Sequence, residues 1–112
     1  MSLKEKLKAK RCPEKIIEAD GDQFLVIGLS RLQRSVVMAQ VRGPDGRTTD
    51  PDKLEKLFLC ECVRDPETRE RVIEAIDINE WDDVPASIVA RLVAAIADVN
   101  QLDEEDRGVE KK

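Results

Sequence analysis

The stretch at residues 82–100, DDVPASIVARLVAAIADVN, decides the fold of this chain. Its apolar residues recur at spacings of three and four, with two valines widening the stripe: Ile88, Leu92, Ile96 and Val99, beside Val89 and Val93. A period near 3.6 residues predicts an amphipathic helix that lies on a core. Arg91 and Asp98 then face water, and the rest of the chain supplies the surface that this helix covers.

Both ends of this helix have sequence markers. Asp82 or Asp83 is expected to cap its first turn, and Pro85 suits that turn because its missing N–H needs no acceptor there. Asn100 is the expected stop, since asparagine tolerates the left-handed conformation that ends many helices.

A β-hairpin is predicted near the N-terminus. Asp20-Gly21 stands between two apolar runs, and this dipeptide favours a two-residue turn with positive φ at both positions. The register then pairs Ile17 with Phe24 and Ile16 with Leu25. A ribbon of two strands is marginally stable alone, so we expect it to pack on helices.

A second helix follows the hairpin directly. Ser30 and Gln33 form the pattern of a capping box, in which each side chain accepts a hydrogen bond from a backbone N–H at the helix start. The helix is expected to run from about residue 31 to residue 41. The side chains predicted to face the core are Leu32, Val36 and Ala39.

Asp50 and Pro51 are the expected cap and first residue of a central helix that is apolar over most of its circumference at residues 54–62. Residues 65–68, DPET, predict a turn. Residues 69–76 fit either an extended piece or a short helix. Asp77 and Glu80 resemble another capping box, which opens a short turn carrying Trp81, the only tryptophan. We expect Trp81 to cap the core; the alternative is a contact residue in an interface.

These elements predict an α+β fold, mainly α, with a small N-terminal hairpin packed on a bundle of about four helices. The predicted organisation is a basic flexible arm at residues 1–12, one domain at 13–102 and an acidic disordered tail at 103–112. The formal charge of −5 argues against sequence-independent binding of nucleic acid, which depends on neutralising phosphates with Lys and Arg.

Cysteine use and hydropathy predict a soluble, cytoplasmic protein. Three cysteines do not make a disulfide framework, which favours a reducing compartment. No stretch approaches the ~20 apolar residues of a membrane span, and the basic N-terminus lacks the apolar run of a signal peptide.

No catalytic, cofactor-binding or metal-binding residue is predicted, and we expect no enzyme activity. The chain has no histidine, the commonest general base. Its five glycines are not spaced as a phosphate loop. Cys60 and Cys62 have only Cys12 as a further thiol, whereas a structural zinc site needs four ligands, so the pair is interpreted as part of the core.

The order of the elements resembles that of the tail assembly chaperones of long-tailed bacteriophages, over roughly residues 14–105. A hairpin leads through Leu29-Ser30-Arg31 into a helix. A polar loop and the apolar helix at 54–62 follow. The most characteristic pieces are the turn at Asp65-Pro66 and the helix that starts at Val84-Pro85 and ends in Asn100. The unusually basic first eleven residues depart from this pattern.

The resemblance implies a chaperone that binds and solubilises the tape-measure protein, helps recruit tail tube subunits, acts in the host cytoplasm and is absent from the mature virion. It also implies a longer form made by translational frameshifting near the end of the reading frame, and the A-rich slippery sequence for such a frameshift could encode Lys111-Lys112. The family has no shared catalytic motif, so it assigns no site residues. A homo-oligomer is compatible with this role.

The apolar residues least needed by the core are the candidate partner contacts: Leu3, Leu7 and Leu102. Two other functions stay open at this point. One is a structural adaptor of the virion, such as a head–tail connector. The other is a small nucleic-acid-binding regulator that uses the basic residues of the arm at 4–11.

Overall fold

The computed structural model describes residues 2–47 and 50–101. In chain order the helices and strands are α1 Leu3–Ala9, β1 Glu14–Ala19, β2 Asp22–Ile27, α2 Arg31–Ala39, α3 Pro51–Cys62, β3 Val63–Arg64, a 3-10 helix at Ala75–Asp83, and α4 Ala86–Asn100. The expected tail at 103–112 lies outside the described residues.

The fold class is α+β and mainly α, as predicted: helices hold 53% and strands 16% of the described residues. The sheet is antiparallel in the order β1-β2-β3. The short third strand was not predicted. It arises because the chain leaves α3 in an extended conformation at Val63, whose backbone pairs with Val26 of β2.

The predicted hairpin and its register are confirmed. Ile16 pairs with Leu25 and Ile17 with Phe24. Asp20 has φ 53° and Gly21 has φ 83°, so both turn residues occupy the left-handed region that a two-residue turn requires.

The hairpin is joined to α4 through backbone contacts. The N–H of Gly28 donates to the carbonyl of Pro13 at 2.7 Å, and a Cβ at Gly28 would lie 2.9 Å from that oxygen and 3.1 Å from the carbonyl oxygen of Val99. The next N–H, of Leu29, donates to Oδ1 of Asn100 at 2.7 Å. The close approach therefore needs a residue without a side chain at position 28.

The start of α4 differs from the prediction, whereas its last residue is Asn100, as expected. Its N-cap is Pro85, with no side-chain hydrogen bond at the cap. Asp82 does not cap α4 because its carboxylate is held by Lys56 at 3.0 Å. At the other end Asn100 is helical and the left-handed residue is Gln101, with φ 51°. The predicted inward stripe is present, since Leu92, Ile96 and Val99 are buried among the core residues.

The central position predicted for α3 is confirmed. Asp50 caps it by accepting from the N–H of Lys53 at 3.0 Å, and Pro51 is the first residue. Its buried side chains lie on several sides of the helix: Leu54, Leu57, Phe58, Leu59, Cys60 and Cys62. The helix consequently contacts α2, the 3-10 helix and α4.

The inward face predicted for α2 is wrong, although its capping box at Ser30 and Gln33 is confirmed. The buried residues are Val37, Met38 and, just beyond the helix, Val41. The residues expected inside are exposed: Leu32, Val36 and Ala39. Both sets have helical spacing, so periodicity alone does not choose between them, and contact with α3 selects the second set.

The same helix also ends two residues earlier than predicted, at Ala39. The N–H groups of Gln40 and Val41 donate to the carbonyls of Val37 and Met38, three residues back, at 3.2 Å each. This tighter bonding is typical of a helix terminus.

Residues 65–83 connect α3 to α4. The turn at 65–68 is confirmed, with Oδ1 of Asp65 accepting from the N–H groups of Glu67 and Thr68. The 3-10 helix begins after Glu74, without a side-chain cap, and Asp77 lies at a kink inside it, so the capping box expected at Asp77 is not where the helix starts. Trp81 is buried, as expected of a residue that closes the core.

Candidate partner-binding surfaces

The N-terminal arm contains the first two predicted contact residues. Ser2 caps α1 by accepting from the N–H of Glu5, and none of the helix's residues is buried. Leu3 is 73% and Leu7 61% exposed. Being four residues apart, they lie on the same side of the helix. The third predicted contact, Leu102, lies outside the described residues.

Cations surround this leucine pair. The arm's basic residues are all exposed: Lys4, Lys6, Lys8, Lys10 and Arg11. We call Leu3, Leu7 and these five residues the arm surface. Its apolar stripe with cationic borders suits a partner helix or groove that is apolar in the middle and acidic at its edges.

A second exposed surface lies on α2 and was missed because its residues were assigned to the core. Leu32 is 71% and Val36 55% exposed. On the adjacent side, Arg31 and Arg42 are exposed and line a shallow groove of about 470 Å³ together with Arg34, Ser35, Met38 and Ala39. We call Arg31, Leu32, Val36 and Arg42 the α2 face.

A third surface has the opposite charge. Ile76 is 91% exposed on the 3-10 helix, and Val72 just before it is also exposed. Glu74, Asp77 and Glu80 are exposed on the same segment. We call these five residues the acidic face. Sequence reasoning did not find this face, because it placed Val72 and Ile76 in an element that it left undecided between an extended piece and a short helix.

Ion pairs fix the elements that carry the acidic face. Lys56 of α3 binds Asp52 and Asp82 at 3.0 Å each, and the hydrogen bond to Asp82 is the largest cause that raises the pKa of this ammonium. Arg71 donates from one nitrogen to both carboxylate oxygens of Glu61 at 2.9 Å. The segment is thereby held against α3 at both of its ends.

Another ion pair ties the hairpin to the turn after β3. Arg69 binds Glu14 through two nitrogens, at 2.7 and 3.2 Å, and the hydrogen bond lowers the pKa of Glu14. Because both groups are exposed, this pair orients the loop more than it stabilises the fold.

Two of the three cysteines are core residues, as predicted. Cys60 and Cys62 are buried and Cys12 is exposed. Burial raises the pKa of the Cys60 thiol, and it raises that of Cys62 to about 12. Protonated buried thiols are poor ligands and poor nucleophiles. Within residues 2–47 and 50–101, no group of three or more potential metal ligands comes together.

Among the described parts of the chain, no helix is both long enough and apolar enough to cross a membrane. Comparisons with known protein families, with curated proteins and with solved structures found no match for this chain.

Proposed function

We propose that the protein is a non-catalytic chaperone that binds a helical polypeptide through its arm surface. The specific form of the proposal is a phage tail assembly chaperone. It binds and solubilises the tape-measure protein and helps recruit tail tube subunits. It acts in the host cytoplasm and is left out of the finished virion.

The observation that carries the proposal is the exposure of Leu3 and Leu7 on a helix that buries none of its residues. An exposed leucine pair contributes nothing to the core. The five cations of the arm keep this exposed segment hydrated in the absence of a partner. An amphipathic helix of this kind binds by laying its apolar side on another apolar surface. The cations then favour partners that carry acidic residues along the edges of their apolar surface.

This arrangement fits a client with long apolar helical stripes. Such stripes aggregate unless another molecule covers them. Each arm offers only two leucines, so one contact is weak. Several copies bound along one long client would gain avidity without any further contact per copy.

The direct experiment is a pull-down after co-expression with the tape-measure protein encoded near this chain. We expect the tape-measure protein to be retained by the wild-type chain and lost from the Leu3→Asp/Leu7→Asp variant. Lys4→Ala/Lys8→Ala is the graded comparison, because it keeps the leucines and removes part of the charge. Equal retention by wild type and the leucine variant would exclude the arm surface as the contact.

A second candidate function, a nucleic-acid-binding regulator, is favoured by the five exposed cations of the arm. It requires an affinity for DNA or RNA that falls steeply with salt, because phosphate contacts release counterions. We expect no retention on either nucleic acid at low salt, given the formal charge of −5. Binding that is lost when Lys4, Lys6 and Lys8 are replaced by alanine would reverse the preference.

A further inference from the structure

We propose that copies of this chain associate through two unlike surfaces, the α2 face of one copy docking on the acidic face of the next. The inference stands apart from the proposed function, because purified protein alone tests it. A chaperone role would survive its failure, and self-association would survive the failure of that role.

The α2 face has the composition of a contact surface, and no described residue of the same copy covers its apolar pair. Leu32 and Val36, four apart, place two branched side chains on the exposed side of α2. Among the described residues, the guanidinium groups of Arg31 and Arg42 make no ion pair. An apolar pair with two unpaired cations calls for an apolar surface with carboxylates beside it.

The acidic face supplies that chemistry. Ile76, at 91% exposure, is the most exposed large apolar residue among those described, and Val72 accompanies it. Within the same described ranges, the carboxylates of Asp77 and Glu80 make no ion pair, whereas Glu74 is bound by Arg71 at 3.3 Å. The two anions and two apolar side chains of this face match the two cations and two apolar side chains of the α2 face.

The described residues of a single copy cover neither surface. The α2 face and the acidic face belong to elements that each pack on α3, yet both sets of apolar residues stay exposed. The arm surface is not a substitute occupant of the α2 face, since its lysines would meet arginines. Among residues 2–47 and 50–101, the surface complementary to the α2 face is the acidic face, which a second copy supplies.

The pairing of unlike faces has consequences for strength and for symmetry. Two apolar side chains per face are fewer than a standard interface of about 1,600 Å² contains, so we expect association to be weak and dependent on concentration. A contact between two different surfaces is head-to-tail, which propagates to further copies unless it closes. Copies joined in this way would bring several arm surfaces side by side.

The test is sedimentation velocity of the purified chain from micromolar to millimolar concentration. We expect the average mass of the wild type to rise with concentration. Reversing the charges on either face should raise the dissociation constant about tenfold or more, because like charges then meet. The two variants are Arg31→Glu/Arg42→Glu and Asp77→Lys/Glu80→Lys. A wild type that stays monomeric throughout would overturn the proposal.

Mixing the two variants is the decisive part of the experiment. Each variant alone carries two faces of like charge. The mixture restores one wild-type pair, the acidic face of the first variant with the α2 face of the second, so association should return. Failure of the mixture to associate, with both variants folded by circular dichroism, would overturn the proposal.

Matched controls change the same number of charges elsewhere. Arg47→Glu/Arg91→Glu and Glu18→Lys/Glu67→Lys alter exposed residues outside both faces. We expect both controls to associate as the wild type does. An equal loss in the controls would show that net charge, and not these two faces, governs association.

Discussion

Asn100 is the side chain on which the junction between the hairpin and α4 depends. Its Oδ1 accepts from the N–H of Leu29, while its Nδ2 donates to the carbonyl of Ile96 at 3.0 Å and lies 3.8 Å from the sulfur of Cys62. One amide therefore satisfies a backbone donor of another element. The sequence suggested Asn100 for a different reason, as a stop, and a contact across 71 residues has no local signature.

Replacing Asn100 by alanine should lower the free energy of unfolding by about 1–3 kcal/mol, because it leaves the part-buried N–H of Leu29 without an acceptor. Urea denaturation followed by circular dichroism measures the change. Asn79→Ala is the control, since Asn79 is exposed and its hydrogen bond from Nζ of Lys56 is long, at 3.4 Å, so stability should shift by less than about 0.5 kcal/mol. Equal stability of the wild type and Asn100→Ala would contradict this account of the junction.

The cysteines give a prediction about reactivity. At pH 8 a thiol reagent such as Ellman's reagent should modify Cys12 quickly, whereas Cys60 and Cys62 should react only when the chain unfolds, because burial keeps both protonated. In guanidinium chloride, which unfolds the chain, all three thiols should react with the reagent. The Cys12→Ser variant should lack the fast phase, and a fast phase that persists in it would show that the core thiols are accessible.

The same burial sets a pH dependence. The pKa of Cys62 in the folded chain, about 12, lies above the ordinary value of 9.0, so the folded state holds this proton more tightly than the unfolded state. Its contribution to the free energy of unfolding is complete below pH 9 and is lost as the pH rises toward 12. Denaturation at pH 8, 9.5 and 10.5 should therefore show decreasing stability, and stability that rises over this interval would contradict the assignment.

Among the elements, α2 shows most clearly where sequence reasoning stops. Its start was predictable, because Ser30 and Gln33 act through local hydrogen bonds. Its orientation was not, because apolar residues with helical spacing stand on two sides of it. The hairpin had no such ambiguity, since Asp20-Gly21 fixes the turn and the turn fixes the register. The α2 face was consequently missed. Leu3 and Leu7 were identified because no predicted core element required their side chains.

Two substitutions on α2 test the observed orientation. Met38→Ala should lower the free energy of unfolding by about 2–5 kcal/mol, as for other large-to-small changes in a core. Leu32→Ala on the same helix should change it by less than about 0.5 kcal/mol, because the side chain is 71% exposed. Urea denaturation of both variants provides the comparison. The reverse order of effects would mean that Leu32 faces the core.

At the scale of the whole molecule, the hairpin, α3 and α4 form a core, and three partly apolar surfaces of the described residues stay exposed. Within residues 2–47 and 50–101, no side chain that is charged or polar is fully buried. The charges instead border exposed apolar residues, cationic on the arm and on α2 and anionic on the 3-10 helix. This distribution supports the proposal that the protein binds other polypeptides by weak, repeated contacts.

The measurement that tests this most directly is a sedimentation assay of a purified tape-measure fragment diluted from denaturant. With the wild-type chain in excess, we expect the fragment to stay in the supernatant. With Leu3→Asp/Leu7→Asp, whose replaced residues lie outside the core, we expect it to pellet as it does alone. Pelleting of the fragment to the same extent with and without the wild-type chain would contradict the proposed chaperone function.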